Sequence, residues 1–225
     1  MAVLVAGGTG ALGGAVVREL LDSGYTCALT WVVDRERERA EAELGDRVVL
    51  LNADLLDPDG AAEAVEAVDD LEAVVNLVGG YASTGRVHET DPADFDRLLR
   101  LNLTPGFNLA RAAMPRLMER GGGAYVGVSA RPALRPFAGA AGYIAAKAAV
   151  LAFVQALDAE YRDHGIRCNA ILPSVIDTPA NRESQPDADH SKWVAPEEIA
   201  KVVRFLVSED SAPTSGAAVP VYGRA

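Results

Sequence analysis

The chain alternates short apolar runs with longer amphipathic stretches along its whole length. Residues 2–6 (AVLVA) read as a strand. Residues 11–23 (ALGGAVVRELLDS) read as a helix closed by Gly24, with apolar positions recurring every three to four residues. A strand over 26–33, a charged helix from Asp34 to Leu44 and a strand over 47–51 (RVVLL) follow. The spacing predicts a helix over 58–68 with Pro58 in its first turn. Residues 73–78, apolar apart from Asn76, suit a strand covered on both faces. Further helices are predicted at about 92–100, 103–119, 139–163 and 196–208. Strands are predicted at 124–128 (AYVGV), at 167–172 and in a short run ending near Val221.

Such alternation calls for crossover connections. The fold class expected is therefore α/β: a doubly wound parallel sheet of the Rossmann type with helices on both faces, formed as a single domain over 1–225. No internal repeat or linker divides the chain. One segment departs from the pattern. Residues 174–195 (SVIDTPANRESQPDADHSKWVA) are polar, interrupted by Pro179 and Pro186, and longer than an ordinary connection, so a substrate lid is expected there.

Composition narrows the function. The 225 residues are 49% hydrophobic and 24% charged, which excludes a disordered, collagen-like or coiled-coil chain. The net charge of −11 argues against a broad face for nucleic acid or an anionic membrane, while leaving room for a local phosphate site. The two cysteines, Cys27 and Cys168, and the three histidines, His88, His164 and His190, have no metal-ligand spacing, so no metal is expected. Residues 2–6 lack a basic leader, and no uninterrupted apolar run reaches about 18 residues, so a cytoplasmic protein outside the membrane is expected.

The first predicted strand ends in GGTGALGG, residues 7–14. Gly7, Gly10 and Gly13 let a strand turn sharply into a helix, let the backbone approach a pyrophosphate, and let the helix pack against the sheet. The residues of the turn and helix start, Gly7, Thr9, Gly10, Ala11 and Leu12, would then present N–H groups and the positive end of the helix dipole to phosphates. An acidic residue at the end of the second strand would hold the ribose diol of NAD. Counting 18 residues past Gly13 reaches Trp31, with Asp34 three further on. Arg35 and Arg37 could meet a 2′-phosphate or could face solvent; on this reading the cofactor is NADP or NAD, with a slight lean to NADP.

A second constellation lies in GAAGYIAAKAAV, residues 139–150. Tyr143 and Lys147 are four apart and share a helix face, among small residues that a ligand could approach. A phenol is a poor acid–base catalyst at neutral pH, and a nearby ammonium should lower its pKa. Tyr143 could then supply a proton as hydride reaches a substrate carbon.

With these motifs the sequence resembles the short-chain dehydrogenases/reductases over essentially its whole length. The resemblance places Asp54 and Leu55 at adenine, and Asn76-Leu77-Val78-Gly79 where the family has Asn-Asn-Ala-Gly. It makes Asn102 the helix asparagine that anchors a water in a proton relay, and sets Pro173, Ile176 and Thr178 in the loop that meets the nicotinamide carboxamide. The family's serine, 13 residues before the tyrosine, falls here on Ala130, with Ser129 beside it as the candidate replacement. The glycine turn, Ala130 and residues 171–193 together resemble the dihydropteridine reductase-like subgroup. The resemblance implies an NAD(P)H-dependent oxidoreductase acting on a C=O or C=N of a small substrate, pterin-like or a ketone, and assembling as a homodimer or homotetramer. The absent serine also admits a non-redox role, such as dehydration, cyclisation or a structural cofactor.

Overall fold

The computed structural model describes residues Met1–Ala225. In chain order the elements are β1 (Ala2–Ala6), α1 (Ala11–Asp22), β2 (Thr26–Trp31), α2 (Asp34–Leu44), β3 (Val48–Asn52), α3 (Pro58–Glu66) and β4 (Leu71–Asn76). Then come α4 (Pro92–Arg120), β5 (Gly123–Val128), α5 (Ala141–Tyr161), β6 (Ile166–Pro173), α6 (Pro179–Ser184), α7 (Pro196–Val207) and β7 (Ala218–Val221). The seven strands form one sheet in the order β3-β2-β1-β4-β5-β6-β7. Every pairing is parallel.

The central strands show why continuous apolar runs were needed. Leu4 and Ala6 of β1 and Val74 of β4 pack into a layer with α3, α4 and α5. Val3, Val5, Ala73 and Val75, which point the other way along the same strands, pack with α1, α2 and α7. Both faces of the sheet are thus dry, and the free ground lies at the strand ends. Strand order reverses between β1 and β4, which opens a crevice at their carboxyl ends, the usual ligand position in such sheets.

Caps set the helix starts. Asp57 accepts from the Asp59 N–H at 3.1 Å ahead of α3, and Asp91 from the Ala93 N–H at 2.8 Å ahead of α4. The helix α4 differs from expectation: it is one 29-residue element where two were predicted. Pro105 and Pro115 each remove a backbone donor inside it, at about 3 kcal/mol apiece in an isolated helix. Burial of Leu98, Pro105, Leu109, Ala113 and Leu117 along one face outweighs that cost. Two smaller differences concern loops. β2 ends at Trp31 rather than continuing to residue 33. The polar segment 174–195 carries the short helix α6, and Ile176 bridges to Val194.

By length and composition, α5 with its extension to His164 could cross a membrane, at a mean hydropathy of 1.3. In the fold it is a core helix that packs on α4, β5 and β6, with Lys147 and Asp158 on its buried side.

Candidate active site

The crevice begins at the glycine turn. Gly7 N–H donates to Thr30 Oγ1 at 3.2 Å, which ties the turn to β2. A Cβ on Gly13 would lie 2.6 Å from Gly8 Cα and run into the Gly7 carbonyl, so α1 can approach the sheet this closely only with glycine there. Gly10 caps α1 with no side-chain acceptor, which leaves the first N–H groups of the helix directed at the crevice mouth. These features fit the diphosphate of a dinucleotide: a cradle that side chains would fill and a positive helix end.

From this turn a cleft of about 320 Å³ runs between β1, β2 and β4. Gly7, Thr9 and Gly10 line it, as do Asp54, Leu55 and Gly79, all expected cofactor contacts. Trp31 and Glu36 also line it. Ala11 lines a smaller adjoining hollow, with Arg18 and Arg39, that shares Thr9 and Gly10 with the cleft. Leu12 packs against the core layer beneath α1. Asn76 is buried at the end of β4 and accepts from the Val78 N–H at 3.1 Å, holding the chain in the bend that follows.

Arg35 and Arg37 do not line the cleft. Arg37 is taken up by Glu41 at 2.6 Å, by Asp34 and Glu38, and by the Trp31 ring 5.5 Å away. Glu36 was missed in the sequence, although Ala40 and Leu44, four and eight residues on, are the buried positions of α2. That spacing marks Glu36 as an inward-facing residue.

Gly79 connects the cleft to the second constellation. A Cβ there would lie 2.6 Å from Asn102 Oδ1 and 2.9 Å from Lys147 Nζ. Asn102, in α4, grips Gly80 through both of its backbone groups, accepting from the N–H at 3.1 Å and donating to the carbonyl at 3.0 Å. It also donates to the Leu98 carbonyl at 2.9 Å. Its side chain therefore clamps the β4–α4 loop.

Lys147 is buried, and its Nζ donates to the Val128 carbonyl at 2.9 Å. It lies 5.9 Å from the centroid of the Tyr143 ring, one helical turn back. Burial lowers the Lys147 pKa to about 8. Tyr143 moves the other way from expectation. Burial, with a smaller effect of the Tyr81 phenol, raises its pKa to about 12. Desolvation of the phenolate sets the direction, and the ammonium is turned to the Val128 carbonyl. The Tyr81 ring meets Tyr143 edge to face, with centroids 5.1 Å apart.

Ser129 does not replace the missing serine. Its hydroxyl donates to the Lys147 carbonyl at 2.7 Å and is fully buried, fastening β5 to α5. Ala130 provides no donor in its place. Pro173 ends β6, and Ile176 and Thr178 begin the segment beyond it. The Thr178 hydroxyl caps α6, accepting from the Asn181 N–H at 3.2 Å. Among groups of histidine, cysteine and carboxylate side chains, none could hold a metal ion.

The parallel sheet, the glycine turn and the Tyr–Lys helix define a dinucleotide-dependent oxidoreductase. Comparison with known proteins supplies the family. The short chain dehydrogenase family model matches residues 1–189. The chain is 30% identical to 2-(R)-hydroxypropyl-CoM dehydrogenase of Xanthobacter autotrophicus, over 79% of this chain and 78% of that one. It is also 30% identical to acetoacetyl-CoA reductase of Paracoccus denitrificans, over 95% and 93%. A short-chain type dehydrogenase/reductase from Mycobacterium ulcerans superposes with a TM-score of 0.93, covering 99% of this chain and 88% of that one, at 24% identity, which speaks for the fold alone. The chain belongs to the short-chain dehydrogenase/reductase family and is an NAD(P)-dependent enzyme of it.

Proposed function

We propose that this enzyme reduces a C=O or C=N group of a small substrate, with Tyr143 as proton donor. The observation that carries this reading is the place of Gly79, which lines the cleft of the glycine turn and touches the groups around Lys147 and Asn102. The dinucleotide, when bound, supplies the hydride. The chain's own residues do the rest. The glycine turn and α1 would hold the diphosphate, and Asp54, Leu55 and Trp31 would wall the adenosine side. Tyr143, protonated up to about pH 12, is suited to give its proton to the substrate oxygen or nitrogen. Lys147 would hold the nicotinamide ribose and return a proton to Tyr143. Asn102 is a positioning residue through Gly80. Pro173, Ile176 and Thr178 would meet the nicotinamide end, and residues 174–195 would close over it as a lid.

Both curated relatives described above are named for redox chemistry, which favours reduction over dehydration or a structural cofactor. Ala130 and the exposed Tyr81 favour a flat substrate held by stacking, such as a quinonoid pterin, over one held by a serine hydroxyl. Assembly through α4 and α5 is part of the reading, because Phe107 of α4 is exposed beside Phe153 of α5. A cytoplasmic setting is supported by two unpaired, buried thiols, Cys27 and Cys168.

The test is to incubate the protein with NADH or NADPH and either quinonoid dihydropterin or an acetoacetate ester, and to follow loss of reduced-nicotinamide absorbance. Turnover that disappears in Tyr143→Phe supports the reading. Turnover equal in that variant, or cofactor binding without oxidation by either class of substrate, rejects it.

A further inference from the structure

We infer that Glu36 makes this enzyme select the dinucleotide without a 2′-phosphate. The inference rests on the reading of the cleft as a dinucleotide site. Trp31 stands at the end of β2, where a carboxylate would ordinarily grip the ribose diol. Val32, which follows it, is exposed and uncharged. The only acid from α2 in the cleft is Glu36, in the first turn of the helix. Its Oε2 accepts from the Thr9 hydroxyl at 3.1 Å, so the carboxylate is held across the mouth of the glycine turn.

Thr9 itself is fixed from behind. It is buried, and Arg39 donates to its carbonyl from the neighbouring hollow. The carboxylate therefore lines the same cleft as Trp31, next to the glycine turn. A ribose diol there offers two hydroxyl donors to a fixed, ionised acceptor, a strong arrangement. A 2′-phosphate offers only acceptors and up to two negative charges against the same group. No arginine on the cleft wall answers that charge. Arg37, which lies over the Trp31 ring, is paired with Asp34, Glu38 and Glu41 on its own helix, and Arg39 and Arg18 line the adjoining hollow that shares Thr9 and Gly10 with the cleft.

Titration of the full-length protein with NADH and with NADPH, read by quenching of tryptophan fluorescence and by calorimetry, tests this without any substrate. Trp31 lies in the cleft and reports occupancy. The wild type should bind NADH at least about tenfold tighter than NADPH, the equivalent of one charge-assisted hydrogen bond. Glu36→Gln removes the charge but keeps size and an acceptor for Thr9, and should shrink that ratio by about tenfold, mainly by tighter NADPH binding. Glu36→Asp, which keeps the charge, should retain the preference for NADH. Equal or tighter NADPH binding by the wild type overturns the inference and leaves the dinucleotide reading intact. An NADH preference that Glu36→Gln does not change also overturns it. Binding of neither compound rejects the dinucleotide reading itself and the inference with it.

Discussion

The two halves of the crevice are built from different materials. On the β1–β3 side the cleft is built around backbone, in the turn at residues 7–14 and the first N–H groups of α1, with Trp31, Glu36 and Leu55 as side-chain walls. On the β4–β7 side the proposed substrate site would be made of side chains: Tyr143, Lys147, Tyr81 and the segment after β6. A dinucleotide phosphate has one shape, and backbone geometry that serves it leaves little room to vary. A substrate site made of side chains can be rewritten at single positions, and Ala130 would be such a position in the proposed site.

This contrast predicts separable defects. Tyr143→Phe should reduce turnover by about 10²–10⁴ while NADH binding, measured by fluorescence, stays as in the wild type. A parallel loss of binding would show that the halves are not independent. Gly13→Val should do the reverse. Its side chain meets Gly7 and Gly8, so cofactor affinity should fall by about 10² or more, with stability lowered by about 1–3 kcal/mol in denaturant melts.

Lys147 joins the two halves, and its titration sharpens the comparison. As pH rises through about 8 its ammonium is lost, while Tyr143 keeps its proton to about 12. Reduction should therefore weaken above about pH 8 in a profile of kcat/KM. Lys147→Met should lower the rate by about tenfold or more and abolish that limb. The same shift gives stability a sign. Above about pH 8 and below the ordinary lysine range the unfolded chain holds a proton that the folded one has released, so this group makes the protein more stable as pH rises through that window. Melting temperatures of the wild type and Lys147→Met should diverge there in that direction.

The smallest effect concerns Ala130. Ala130→Ser puts a hydroxyl at the position 13 residues before Tyr143 without the supporting contacts of a built donor. It should raise the rate on an acetoacetate ester by about tenfold, below the 10²–10³ that a preorganised donor supplies. A fall in rate on quinonoid dihydropterin alongside that gain would strengthen the assignment of a flat substrate.

Much of this molecule was determined by its sequence alone. Alternating runs specified strands and helices because a strand between two helical layers must be apolar on both faces, and an outer helix on one only. The glycine turn was legible because its constraint is local: the chain reverses within a few residues. The Tyr–Lys pair was legible because four residues make one helical turn.

The tertiary structure decided everything that depends on distant partners. It joined two predicted helices through Pro105, because burial along α4 exceeds the cost of its two internal prolines. It turned Ser129 onto the Lys147 carbonyl and spent the ammonium on Val128. It raised the Tyr143 pKa that proximity to a lysine alone would lower. It also brought Glu36 and Thr9 together across 27 residues while Arg37 turned to its own helix. Such outcomes follow from which group is nearest once the sheet has closed, and a linear chain does not carry that distance.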